Sequence, residues 1–204
     1  MPLSRDELDV LRDTVLAGYT RDRALIDRAI CHTNARIRAA AINASIRTGE
    51  TSVETLQKLL LDPSPEVRLA VIRASISIPE LDIYCLLELE ADPQVLEAII
   101  FSLGERKEYR AHTDLCKIAV SHTDPLCREA AIAALANLQM EESLETLIKA
   151  SSDRAPVRRR VAIALSYFDN PLATKCLEML SQDRDWQTKK IAKELLNIEA
   201  GAEI

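Results

Sequence analysis

Apolar residues return along this chain with two periods, one of three to four residues inside short segments and one of about thirty residues between segments. The short period predicts helices and the long one predicts a stacked repeat array. Six segments superpose: NARIRAAAINAS from Asn34, DPSPEVRLAVIRAS from Asp62, DPQVLEAIIFSL from Asp92, TDPLCREAAIAAL from Thr123, DRAPVRRRVAIAL from Asp153 and DRDWQTKKIAKEL from Asp183. Their anchors are Ile37, Val67, Val95, Cys127, Val157 and Gln187. Four residues on stand Ala41, Val71, Ile99, Ala131, Val161 and Ile191; eight on stand Ser45, Ser75, Leu103, Leu135, Leu165 and Leu195. That spacing puts all three sets on one helical face.

Each unit reads as two helices. In SVETLQKLLL, Ser52 is the expected cap, and Val53, Leu56, Leu59 and Leu60 share a face before Asp62, Pro63 and Pro65 break the helix. The second helix of that unit is expected from about Glu66 to Ile76. Asp92 with Pro93, Asp124 with Pro125, Asp153 with Pro156, and Asp183 repeat the punctuation, each Asp placed to accept amide hydrogens at the start of the next helix. Residues 48–51, 78–80, 107–110, 139–142 and 169–171 then join one unit to the next. The segments 1–31 and 183–204 keep the spacing but carry more charge, as end caps do. No linker or composition break intervenes, so the expectation is one domain over 1–204, an all-α solenoid of about six stacked helix pairs.

Composition narrows the function. Four Gly and 3% aromatic residues fit helix throughout. A net charge of −6 disfavours general nucleic-acid binding, which depends on Lys and Arg neutralising phosphates. Cys31, Cys85, Cys116, Cys127 and Cys176 are odd in number and contain no C-x-x-C pair. They read as buried thiols of a reducing, cytoplasmic setting, with no metal site among them. No stretch approaches the ~20 apolar residues of a membrane span, and the amino terminus lacks an apolar signal core.

These residues resemble the HEAT repeat, in particular the short variant named for phycobilisome lyases. The match rests on Asp62 with Val67 and Arg68, Asp124 with Arg128, and Asp153 with Val157 and Arg158. Leu96 and Thr188 depart from it, standing where Arg is usual. The resemblance implies a right-handed superhelix with the Val-Arg helices on its concave side. It also implies an inter-repeat ladder built from Asp62, Arg68, Asp124, Arg128, Asp153 and Arg158, with Arg38 as a further member, which sets a structural role for these arginines against ligand binding.

Enzymes occur on such repeats. Deoxyhypusine hydroxylases place His-Glu pairs on these helices to hold two irons, whereas His32, His112 and His122 are each followed by Thr, at helix ends or turns where Thr reads as a cap. Alkylpurine DNA glycosylases use a basic clamp with aromatic stacking; this chain has one Trp, Trp186, in a basic carboxy-terminal region. Arg159 and Lys189 occupy equivalent positions there, either as a nucleic-acid stripe or as a solvated face paired with Asp153, Asp183 and Asp185. Glu88 with Glu90, and Glu141 with Glu142, read as helix surface, and no catalytic constellation or cofactor loop is visible.

The row six past each anchor, Asn43, Arg73, Phe101, Ala133, Ile163 and Lys193, points away from the predicted core. Two readings stand: Phe101, Ala133 and Ile163 line a shallow groove flanked by Arg73 and Lys193, or superhelical twist turns them into contacts with neighbours. The expected function is a non-enzymatic scaffold or adaptor holding a protein or peptide, with no cofactor. The alternatives are a nucleic-acid-binding or repair protein working through the basic end, and a regulatory or chaperone-like partner of a modifying enzyme.

Overall fold

The computed structural model of the chain describes residues 3–49 and 52–201, with the side chains of 198–201 left undescribed. The expected connection at 50 and 51, and the cap residues 1–2 and 202–204, lie outside the described residues. Twelve α-helices and no strand occur among the described residues: α1 (Arg5–Thr20), α2 (Arg23–Ile30), α3 (Ala35–Thr48), α4 (Val53–Leu59), α5 (Pro65–Ala74), α6 (Pro93–Glu105), α7 (His112–Ser121), α8 (Pro125–Leu138), α9 (Leu144–Ala150), α10 (Ala155–Leu165), α11 (Pro171–Leu180) and α12 (Trp186–Gly201). The architecture is an all-α solenoid class of stacked helix pairs.

One pair departs from the two-helix expectation. Between α5 and α6 the chain forms only short 3₁₀ turns, Ser75–Ser77 and Tyr84–Leu86. Pro79 has no amide to donate and disfavours helical geometry at Ile78, so the chain turns there rather than continuing as helix. Leu81, Ile83, Leu86 and Leu87 are nevertheless buried, so this irregular segment still supplies apolar packing in place of a first helix.

Contacts divide the chain into two compact units, Met1–Ser102 and Leu103–Ile204. In the first, α3 packs on α1, α2 and α5, and α4 packs on α5; in the second, α8 packs on α7 and α10, and α12 packs on α10 and α11. The capping box of Ser4 and Glu7 starts α1, and the second oxygen of Glu7 accepts from Asn34 Nδ2 at 3.0 Å, tying the start of α1 to the start of α3.

Burial follows the repeat. The first five anchors, and the residues four and eight beyond them, are all buried, while Gln187, Ile191 and Leu195 are only partly so. The fifth position, Ile42, Ile72, Ile100, Ile132, Ala162 and Ala192, is 0% exposed in every copy. Each Ile there contributes roughly 1.5–3 kcal/mol by leaving water. The seventh position is also buried and always small in the first five copies: Ala44, Ala74, Ser102, Ala134 and Ala164. Small side chains there bring neighbouring helices close, and two glycines exploit it. A Cβ on Gly18 would lie 3.0 Å from Ala44 Cα, and one on Gly104 would lie 2.6 Å from Ala134 Cα and 2.7 Å from its Cβ.

Gly104→Ala is therefore expected to lower stability by about 1–3 kcal/mol through overpacking, the backbone at Ala134 having to move. Urea unfolding measures this, and an unchanged midpoint would contradict the close approach.

Candidate interaction surface

Each repeat presents two kinds of polar position: those saturated by neighbouring groups and those left facing outward. The saturated set is an arginine ladder. The arginine one residue past the anchor reaches, in a bidentate pair, a carboxylate in the turn ahead of the next repeat's second helix. Arg38 Nε and Nη2 donate to Asp62 at 2.9 and 2.8 Å, Arg68 to Glu90 at 2.8 and 2.7 Å, Arg128 to Asp153 at 2.6 and 2.9 Å, and Arg158 to Asp183 at 2.7 and 2.7 Å. Nη1 meanwhile donates to carbonyls preceding its own helix, those of His32, Asp62, His122 and Asp153 at 2.8, 2.9, 2.6 and 2.6 Å respectively. Each carboxylate also accepts a turn amide: Asp62 from Ser64, Glu90 from Asp92, Asp153 from Arg154 and Asp183 from Asp185. All eight side chains are mostly buried.

The ladder is the structural arrangement the arginines were expected to form, but its acidic members differ in part. Asp124 is not a rung: its side chain accepts from Leu126 N at 2.8 Å and caps α8. Glu90, expected on a helix surface, is instead a rung acceptor, and Asp183 is another. The acidic residues occupy two registers. Asn34, Asp92 and Asp124, three before the anchor, accept from the first amides of α3, α6 and α8. Four or five before it stand the rung acceptors. His32 and His122 stand five before their anchors, and each Nδ1 accepts the amide two residues on, at 3.0 and 3.1 Å, as Asp62 does. Thr33 and Thr123 are therefore not the caps; Asn34 and Asp124 are. At the arginine position, Leu96 is buried, and Thr188 is buried with its hydroxyl donating to Asp185 at 2.8 Å.

Ionisation of the rung carboxylates is favoured. Arginine hydrogen bonds are the largest influence on Asp153 and Asp183 and, against desolvation, hold both below the ordinary carboxylate range. At Asp62 and Glu90 desolvation is the largest influence and pulls upward, but the arginine and turn-amide hydrogen bonds outweigh it and the net shift is downward.

The outward set is the sixth-position row. Asn43, Arg73, Phe101, Ile163 and Lys193 are exposed and Ala133 is half-buried, lying directly beyond the fully buried fifth position. In the first unit, Asn43 and Arg73 line a depression of ≈ 650 Å³ together with Val15, Ile46, Arg47 and Ala74. Ala40 and Ser77 complete it. Arg47 Cζ rests 4.4 Å from the centroid of the Tyr19 ring. The repeat pattern did not single out Val15, Ile46 or Arg47 for this face, since Ile46 and Arg47 lie beyond the superposed segments and Val15 lies ahead of the first.

The basic carboxy-terminal residues are less available than their sequence suggests. Arg159 hydrogen-bonds Gln187 and Ala155 and lies 3.6 Å from Asp185. Lys189 is half-buried, and Trp186 is 67% exposed at the start of α12. The expectation of five buried thiols needs correction: Cys127 and Cys176 are buried and Cys116 partly so, but Cys31 and Cys85 are exposed. Cys31 closes α2 and Cys85 lies in a 3₁₀ turn, where no second helical turn covers them. His112 Nε2 sits 3.0 Å from Ser143 Oγ and 3.6 Å from Cys116 Sγ, a packed polar cluster between α7 and the turn before α9. No helix among the described residues is long and apolar enough to cross a membrane.

Stacked helix pairs with a buried arginine ladder define a helical-repeat protein. The HEAT-repeat model matches residues 83–166 and 113–197, together more than half of the chain, and the chain belongs to the HEAT-repeat family. No curated protein matches it. Among solved structures, human deoxyhypusine hydroxylase in complex with glycerol is similar at 16% identity, over 96% of each chain, with a TM-score of 0.39. A likeness of that size carries no argument about activity.

Two outcomes follow from the ladder. Arg158→Met leaves Asp183 buried without its partner and is expected to cost about 3–5 kcal/mol in urea unfolding, whereas a loss near zero would mean the pair is not desolvated. A folded-state pKa below the unfolded one stabilises the fold fully above the unfolded value, about 3.9 for Asp and 4.3 for Glu. That contribution disappears as pH falls toward the lower folded value. The urea midpoint should therefore drop steeply as pH falls below about 4, and Arg158→Met should show a shallower drop than the wild type.

Proposed function

We propose that the chain is a non-enzymatic scaffold or adaptor that binds a protein or peptide through outward sixth-position residues of its repeats. One observation carries the reading: positions four and five hold only Ala, Val or Ile in every copy, while the adjacent outward position changes from Asn and Arg to Phe, Ala, Ile and Lys. A scaffold needs repetition for its own packing and variation where a partner is read. Phe101 in the first unit is 49% exposed and Ile163 in the second is 37% exposed, and each offers apolar area to a partner of its own unit.

Nucleic-acid binding or repair through the basic carboxy-terminal region has less support, because Arg159 is held by Gln187 and faces Asp185. Loss of retention on DNA when Arg159 and Lys189 are neutralised would reverse that preference. A role as regulatory or chaperone-like partner of a modifying enzyme is a particular form of the scaffold reading.

Phe101→Asp provides the test, since an exposed position tolerates charge without unfolding the chain. Affinity capture with wild type and variant in parallel should show a partner retained by the first and weakened at least about tenfold with the second. Equal retention by two equally folded proteins would contradict the reading.

A further inference from the structure

We infer that the depression in the first unit takes an acidic peptide segment, its carboxylate held by Arg47 and Arg73 and a neighbouring apolar side chain resting on Val15 and Ile46. The inference rests on the proposed peptide-binding role of the sixth-position face and names the chemistry of the occupant.

Charge is the first argument. The rung arginines are each matched by a carboxylate in bidentate geometry. Arg47 and Arg73 make no ion pair among the described residues, and no Asp or Glu lines the depression they share. Two guanidinium groups facing one hollow, neither paired with a carboxylate among the described residues, on a chain whose net charge is −6, form a local field opposite in sign to the whole. Such a field suits a carboxylate, which accepts paired N–H bonds from a guanidinium and is the group that arginine clusters recognise in acidic motifs.

Preorganisation is the second argument. Arg47 lies over the Tyr19 ring at 4.4 Å, which fixes the guanidinium while leaving its charge unneutralised. Binding then costs less side-chain entropy than recruiting a free arginine would. Asn43 adds an exposed amide beside the two cations.

Size and apolar content fix the rest. A helical turn with side chains fills about 400–600 Å³, from a diameter of about 10–12 Å and a pitch of 5.4 Å. The depression of ≈ 650 Å³ therefore holds one turn or a few extended residues. Val15 is 42% exposed on the α1 side and Ile46 is partly exposed in the same lining, so a partner contributing acid alone would leave apolar surface wet. An acidic residue with an apolar neighbour satisfies both.

Panning a library of displayed short random peptides on the full chain, with Arg47→Gln/Arg73→Gln and Phe101→Asp as parallel baits, decides it. Both arginine positions are exposed, and circular dichroism verifies that the double variant stays folded. Support is enrichment of peptides pairing Asp or Glu with an apolar residue, whose synthetic copies bind at least about tenfold more weakly to the arginine double variant and to their own Gln versions. Enrichment of neutral or basic peptides, or acidic peptides indifferent to Arg47 and Arg73, overturns the inference. In that case, weakening by Phe101→Asp alone preserves the scaffold face, whereas indifference to it overturns that too. Failure to enrich any peptide overturns both. A labelled oligonucleotide that competes from the same arginines more tightly than the enriched peptides also overturns it, making phosphate the ligand.

Discussion

An arginine side chain carries five N–H donors in one plane, and each rung arginine of this chain uses that plane in two directions at once. One edge binds the carbonyls that precede its own helix, and the other grips a carboxylate held by the turn ahead of the next repeat's second helix. A single residue thus fixes where its helix begins and where the next repeat must lie. The carboxylate is fixed as firmly, because it also accepts an amide of its own turn. The separations of 24, 22, 25 and 25 residues between partners are what this geometry permits, and the sequence period follows from it.

With register set at the turns, the helices can differ in what they show outward. The fifth position is filled by Ile or Ala and, in the first five copies, the seventh by Ala or Ser, so neighbouring helices approach to the limit that Gly18 and Gly104 permit. That close packing turns the sixth position outward between two buried rows. Arginine accordingly has two roles in one chain: neutralised where it joins repeats, and without an ion pair among the described residues at Arg47 and Arg73, where the proposed partner supplies the counter-charge.

Much of this was legible in the sequence. In the first five copies the anchors and their companions four and eight residues on are buried as the periodicity requires, and the outward set of the sixth row follows from the same helical geometry. The ladder's acidic half was harder to read, because Asp serves both as a helix cap three residues before the anchor and as a rung acceptor slightly earlier. Proline spacing shifts the two registers, and Asp124 took the cap role. Aligning on the anchor backward would have separated them and placed Glu90 with Asp62, and His32 and His122 beside both. The missing helix before α6 and the depression containing Arg47 depend on tertiary packing that no thirty-residue pattern encodes.

The central claim, that a desolvated arginine–carboxylate rung sets the register between neighbouring repeats, is tested most directly by a double-mutant cycle on Arg128 and Asp153. Urea unfolding of the wild type, both single variants and the double variant at neutral pH isolates their coupling. A coupling of about 2–3 kcal/mol is predicted, at the upper end of values for residues in contact. A value within a few tenths of zero would contradict the claim.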